Sequence, residues 1–185
     1  NGSSSSFTVL TDAAGFFTIP NFLTGNYDIQ IAKWGYDMLC ITNVNLTSAG
    51  NIHQYNLDDG YYDDFTFDLG WTVSGNATSG IWDKGVPAGT IWQNDYANPG
   101  NDVSTDCTDE AYITGNAGGS AGNDDVDGGE TILTSPVFDL STYTDPNVNF
   151  SRWFFNAGGS TTQDDSLVIT LTNGTFRGNV VGDIT

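Results

Sequence analysis

The feature that most constrains this chain is a cadence of short runs that alternate apolar and polar residues, each cut off by Gly, Asn, Asp or Pro. Tyr27-Asp28-Ile29-Gln30-Ile31-Ala32 is the clearest. A period of two sends successive side chains to opposite faces, which suits a half-buried strand and no helix. Thr131-Ile132-Leu133-Thr134 repeats the pattern and ends at a Ser135-Pro136 corner. No stretch keeps helical spacing for long. Composition points the same way, because 11 Phe, 8 Tyr and 5 Trp stand beside 23 Gly, a mixture of strand formers and turn formers. The sequence therefore predicts an all-β fold.

Read in order, Phe7–Leu10 and Phe16–Pro20 are expected as strands around a Thr11–Gly15 turn. Tyr27–Ala32, Leu39–Leu46 and Ile52–Leu57 follow, each bounded by turn residues. The apolar alternation breaks at Asp58-Asp59-Gly60, which divides the chain into residues 1–57 and 58–185. In the second part, strands are expected within Trp71–Ser74, Ile81–Gly85, Ile91–Gln93, Ala111–Gly115, Thr131–Thr134, Val137–Leu140, Val148–Phe155 and Ser166–Thr172. A long polar loop runs from Asn94 to Glu110.

Charge narrows the function classes. The net charge is −19, and the basic residues are Lys33, Lys84, Arg152 and Arg177. Phosphate neutralisation needs clustered Lys and Arg, so nucleic acid is not an expected partner, and anionic membrane surfaces are equally unsuitable. No apolar run approaches the roughly 20 residues of a spanning helix, so membrane insertion is not expected. Cations are the natural partners. Asp124, Asp125, Asp127 and Glu130 fall within seven residues, interrupted by Gly128 and Gly129. Calcium takes six to eight oxygen ligands from carboxylates and carbonyls, and a glycine-bent acidic loop offers both. The competing reading is a solvated acidic turn. The spacing is not that of an EF-hand.

Other chemistry is sparse. His53 is the single histidine, too little for a His-rich metal site or a convincing nucleophile–base pair, and no enzymatic activity is expected. Cys40 and Cys107 permit one disulfide without demanding it; a secreted chain would favour the bond. Trp34, Trp71, Trp82, Trp92 and Trp153 suit core filling, with a sugar-stacking platform as the alternative and Trp92 as the most polar in setting.

Two resemblances follow from longer motifs. TDAAGFFTIPNFLTGNYDIQIAKWGY, with Thr11-Asp12, Gly15, Phe17, Gly25, Tyr27 and Gly35-Tyr36, resembles the carboxypeptidase regulatory-like domain, a small prealbumin-like β-sandwich. Further on, DDF, GWTVSG, GIWDKG, AYITGNAGG, NDDVDGG, LTSPVFDLS and PNVNFSRWF, in that order, resemble a MAM-like jelly-roll module. Both families occur in secreted bacterial zinc carboxypeptidases and adhesins. The resemblance implies two β-sandwich domains and a calcium ion near the first strand of the second. The matching positions are Asp64, Asp125 and Asp127, with Asp83 as a further candidate. Implied too is a non-catalytic accessory or adhesion role, extracellular or at the cell surface. The expected partners are other domains of the parent protein or neighbouring copies, and surface polysaccharide. The alternative is a fibre subunit assembled by strand exchange, since both sandwiches look short of strands at the chain ends.

Overall fold

A computed structural model describes residues 6–48, 52–123, 125–157, 165–173 and 177–180. The fold is all-β, and the regular helical structure among the described residues is one turn of 3-10 helix at Ala121–Asn123. The chain forms two compact units, one of residues 1–31 and 39–57, the other of residues 32–38 and 58–185. The segment 32–38, placed with the first module by sequence, thus belongs to the second. Its Trp34 supplies the reason. The indole packs 4.9 Å from the Phe138 ring centroid and 5.1 Å from that of Tyr61, and its Nε1–H donates to the Val137 carbonyl at 2.8 Å.

The first unit is built on one antiparallel pair, β1 (Gly25–Ile31) and β2 (Leu39–Leu46). The register shifts between Tyr27 and Ile29, where β2 carries an extra residue. Asn43 takes up this bulge at φ 61° and donates its N–H to Asp28 Oδ1 at 2.8 Å. A short polar side chain tolerates that left-handed backbone, so Asn is suited to the position. Ahead of β1, Asp12 Oδ1 accepts the N–H groups of Ala14 and Phe16, both at 2.9 Å, and closes the Thr11–Gly15 turn. Phe7 and Phe22 pack on Tyr27, whose hydroxyl donates to the Leu23 carbonyl. Phe7–Leu10, Phe16–Pro20 and Ile52–Leu57 run without ladder pairing.

The second unit holds β3 (Thr72–Gly75), β4 (Trp82–Gly85), β5 (Thr90–Trp92), β6 (Asp95–Asn98), β7 (Ala111–Thr114), β8 (Gly119–Ser120), β9 (Thr131–Thr134), β10 (Ile169–Thr172) and β11 (Arg177–Val180). Antiparallel pairs join β3 to β9, β4 to β7 and β10 to β11. β5 lies between β6, antiparallel, and β8, parallel. Among the described residues each sheet stops at two or three strands. Packing therefore falls to side chains between the ladders. Trp71 lies 5.4 Å from Phe65, 6.1 Å from Tyr112 and 6.2 Å from Trp34, mostly edge to face, the geometry the ring quadrupoles favour. Core filling thus describes Trp34 and Trp71. The most solvent-accessible of the large aromatics in this unit include Trp153, at 55%, whereas Trp92 is half-buried.

Candidate functional site

Two carboxylate neighbourhoods lie in the second unit. The first is the acidic loop. The main-chain oxygens of Asp125, Asp127 and Glu130 are committed to residues 76–79. The Asp127 carbonyl accepts Thr78 N–H at 2.8 Å and Thr78 Oγ1–H at 3.1 Å. That of Glu130 accepts Asn76 and Ala77 N–H at 2.9 and 3.0 Å, and that of Asp125 accepts Ser79 Oγ–H at 3.1 Å. Ser79 Oγ also lies 3.1 Å from Asp127 Oδ2. The glycines make this clasp possible, since a Cβ on Gly128 would sit 2.5 Å from Thr78 Oγ1. The carboxylates of Asp127 and Glu130 are exposed, Asp125 is half-buried, and Asp124 lies outside the described residues. Asp83 is exposed on β4, opposite Ile113.

The second neighbourhood centres on the Asp63-Asp64 pair, which enters the unit just before the aromatic cluster. The two residues are treated differently. Asp63 has both oxygens engaged, Oδ1 by Phe65 N–H at 2.8 Å and Oδ2 by Trp71 Nε1–H at 2.9 Å. Burial holds its carboxyl above the usual range, against the pull of those two bonds. Asp64 is only 3% exposed. Its Oδ1 accepts Thr66 N–H at 3.0 Å, while Oδ2 is buried with no hydrogen-bond partner. A buried carboxylate oxygen left without a donor is costly, and buried charges are normally paired or bound to metal. Lys84, on β4, does not supply the partner. Its ammonium donates to the carbonyls of Phe65 at 2.8 Å and Thr66 at 3.2 Å and pairs with Glu110 at 3.6 Å.

More negative charge gathers beside Asp64. Burial, and then the Asp102 and Asp64 carboxylates, push the Asp106 carboxyl up to about 6, and Asp106 shares a side-chain hydrogen bond with Asp102. Tyr62 senses all three: burial raises its phenol first, then Asp106, Asp64 and Asp102 in turn. Asp102 and Asp64 both act on Asp106, though the three do not form a set of metal-capable atoms within 4.8 Å of one another. Next to them Thr66 Oγ1 and Thr108 Oγ1 are hydrogen-bonded at 2.7 Å. A carboxylate oxygen of Asp64 also lies within 4.8 Å of Cys107 Sγ. That sulfur is no thiolate, because Cys40 and Cys107 form a disulfide, so it offers no metal ligand.

Of the acidic residues singled out by sequence, Asp125, Asp127 and Glu130 share a loop, whereas Asp64 and Asp83 do not join them in any set of three mutually close metal-capable atoms among the described residues. Sequence reading missed Asp102 and Asp106, which lie in the polar loop far from Asp64 along the chain. The local signal available was the acidic run around Cys107, Asp106-Cys107-Thr108-Asp109-Glu110. His53 is exposed in the first unit, stacked 6.0 Å from Tyr55. Among the described residues no helix is long and apolar enough to cross a membrane. Comparison with known proteins finds no matching family model, no matching curated protein and no matching solved structure.

Proposed function

We propose that this chain is a pair of non-catalytic, extracellular accessory or adhesion modules stabilised by calcium. The observation that carries the reading is the buried Asp64 carboxylate with one bare oxygen in a chain of net charge −19. Such a chain gains stability from whatever cation neutralises that oxygen. The disulfide supports an oxidising compartment, where calcium is a constant companion and weak sites of modest affinity stay filled. The likeness of the two halves to carboxypeptidase regulatory-like and MAM-like modules supports work beside a larger protein's other domains, or against a surface polysaccharide. Thermal unfolding tests this. Chelator should lower the melting temperature, calcium should restore it and magnesium should not. An unchanged melting temperature across the three conditions would remove calcium from the reading.

A second reading, a fibre subunit that exchanges strands with its neighbours, is favoured by one feature. Val148, Phe150 and Trp153 are each 55% exposed on a stretch without ladder pairing, and such a stretch can add to a sheet edge of another copy. Concentration-dependent oligomer ladders would support it, and a monomer at all concentrations would exclude it.

A further inference from the structure

We infer that the pocket between residues 35–36, 59–61 and 139–143 of the second unit seats a lysine or arginine side chain presented by a partner protein. This goes beyond the reading above, gives an adhesion module a partner of stated chemistry, and does not depend on calcium. The walls are built from short local contacts. Tyr36 and Asp59 form an isolated antiparallel bridge, and Gly60 N–H donates to the Gly35 carbonyl at 3.3 Å. The Tyr61 hydroxyl accepts Asp139 N–H at 2.7 Å and ties the facing segment to this wall. Asp139 Oδ1 accepts Ser141 N–H at 3.1 Å, and Tyr143 N–H donates to the Leu140 carbonyl at 3.1 Å. That turn returns the Tyr143 ring to 6.4 Å from the ring of Tyr61. The result is a cavity of about 260 Å³ whose lining includes Tyr36, Tyr61, Tyr143, Asp59 and Asp139.

Charge and hydrogen-bonding capacity select the occupant. Asp59 and Asp139 are exposed, and the ion pair found among the described residues is Lys84 with Glu110, so neither carboxylate has a cation of its own there. Carboxylates accept hydrogen bonds and do not donate them, whereas ammonium and guanidinium groups donate and do not accept. Tyrosine faces carry the negative part of the ring quadrupole and attract a cation within about 6 Å of the centroid. The chain already shows this chemistry on one of the lining rings, because the Lys33 ammonium lies over Tyr36 at 4.8 Å from its centroid. Size agrees. Pockets for whole small molecules run roughly 300–1,000 Å³, so a cavity of about 260 Å³ suits the end of a side chain better than a larger ligand. A neutral sugar would meet the same rings and gain nothing from the charge. The net charge of −19 also draws a basic partner towards the surface.

The test is an amide-shift titration of the oxidised, nitrogen-15-labelled full chain in calcium-containing buffer of low ionic strength. The probes are Nα-acetyl-lysine amide, its neutral counterpart Nα-acetyl-norleucine amide, and the neutral disaccharide cellobiose. The lysine probe should give saturable shifts at Gly35, Tyr36, Asp59 and Tyr143 that salt weakens, and the norleucine probe should give none. Equal shifts with norleucine, or saturable shifts with cellobiose and none with lysine, would overturn the inference, the latter in favour of a polysaccharide. An exposed ring and an exposed carboxylate each contribute modestly to holding a cation, so Asp59→Asn combined with Tyr143→Leu should weaken lysine binding roughly three- to thirtyfold. Asp83→Asn removes the same charge outside the pocket lining and should change it less than about twofold; a double variant that binds as well as Asp83→Asn would overturn the site. Lys33→Ala removes an exposed like charge beside Tyr36 and should tighten binding about twofold or more. This variant disturbs no packed group, so it keeps the inference falsifiable even where the double variant fails to fold, and unchanged or weaker binding by it would overturn the pocket.

Discussion

Asp63 and Trp71 offer a clean measurement of what holds the candidate site in place. The carboxylate bridges the Phe65 N–H at 2.8 Å and the Trp71 Nε1–H at 2.9 Å, and so fixes the turn from which Asp64 projects. Asp63→Asn keeps the shape but leaves one oxygen for two donors. With that oxygen on Phe65, the new amide meets the indole N–H donor to donor. Hydrogen bonds to a charged group are worth about 1.5–3 kcal/mol. Against this, burial already works on the charge, since it raises the Asp63 carboxyl, and the neutral amide recovers part of that cost. The expected net loss is about 1–2 kcal/mol, a few degrees of melting temperature for a chain of this size. Trp71→Phe removes the donor while keeping a ring against Phe65 and Tyr112. Urea unfolding of both single variants and the double, followed by circular dichroism, should yield a coupling energy of about 1–2 kcal/mol. Coupling within the ~0.5 kcal/mol found for independent sites would show that the bridge contributes nothing and refute the reasoning.

Two further outcomes follow from the geometry. Gly15 and Gly80 both have positive φ, 83° and 61°, but a Cβ on Gly15 meets nothing within 4 Å, whereas one on Gly80 would lie 2.3 Å from the Asp125 carbonyl oxygen. Gly15→Ala should cost about 1–2 kcal/mol for the backbone alone, and Gly80→Ala should exceed the ~3 kcal/mol of ordinary substitutions; equal losses in a denaturant series would contradict the clasp. Tyr112 sits among Phe65 and Trp71, where burial, followed by Asp68 and Asp63, raises its phenol above 10.0. A raised folded value means that its contribution to stability is present below the unfolded value and lost as pH rises through the folded one. Ultraviolet titration should therefore show a late phenol that disappears in Tyr112→Phe, along with part of the alkaline loss of stability.

Local pattern reveals strands whose partners lie in a simple hairpin or whose alternation is unbroken. Leu39–Leu46 and Thr131–Thr134 match β2 and β9 at both ends, and the all-β class follows from the same periodicity. Pairing is another matter. Val148–Phe155 alternates well enough to be read as a strand, yet it has no ladder among the described residues, because alternation encodes an extended backbone and not a neighbour. β6 was hidden in a stretch that reads as polar loop. The turn before it uses Gln93 and Asn94 at φ 49° and 78°, the primed hairpin geometry, without the Asn-Gly or Asp-Gly signal that would announce it. The site divides likewise. Asp64 is legible as an acidic residue beside a first strand, but the contrast between a satisfied Asp63 and an unsatisfied Asp64 depends on Trp71. The link to Asp102 and Asp106 depends on chain reversals that no short window records.

The disulfide gives the chain a covalent ring that runs from Cys40 to Cys107. A single protease cut anywhere inside it, including the loop that carries Asp64 or the one that carries Asp102 and Asp106, opens the ring without releasing a fragment. In a setting where proteases are abundant, a nicked molecule keeps its mass and both ends of its chain. Damage of that kind would be invisible on a non-reducing gel and plain on a reducing one.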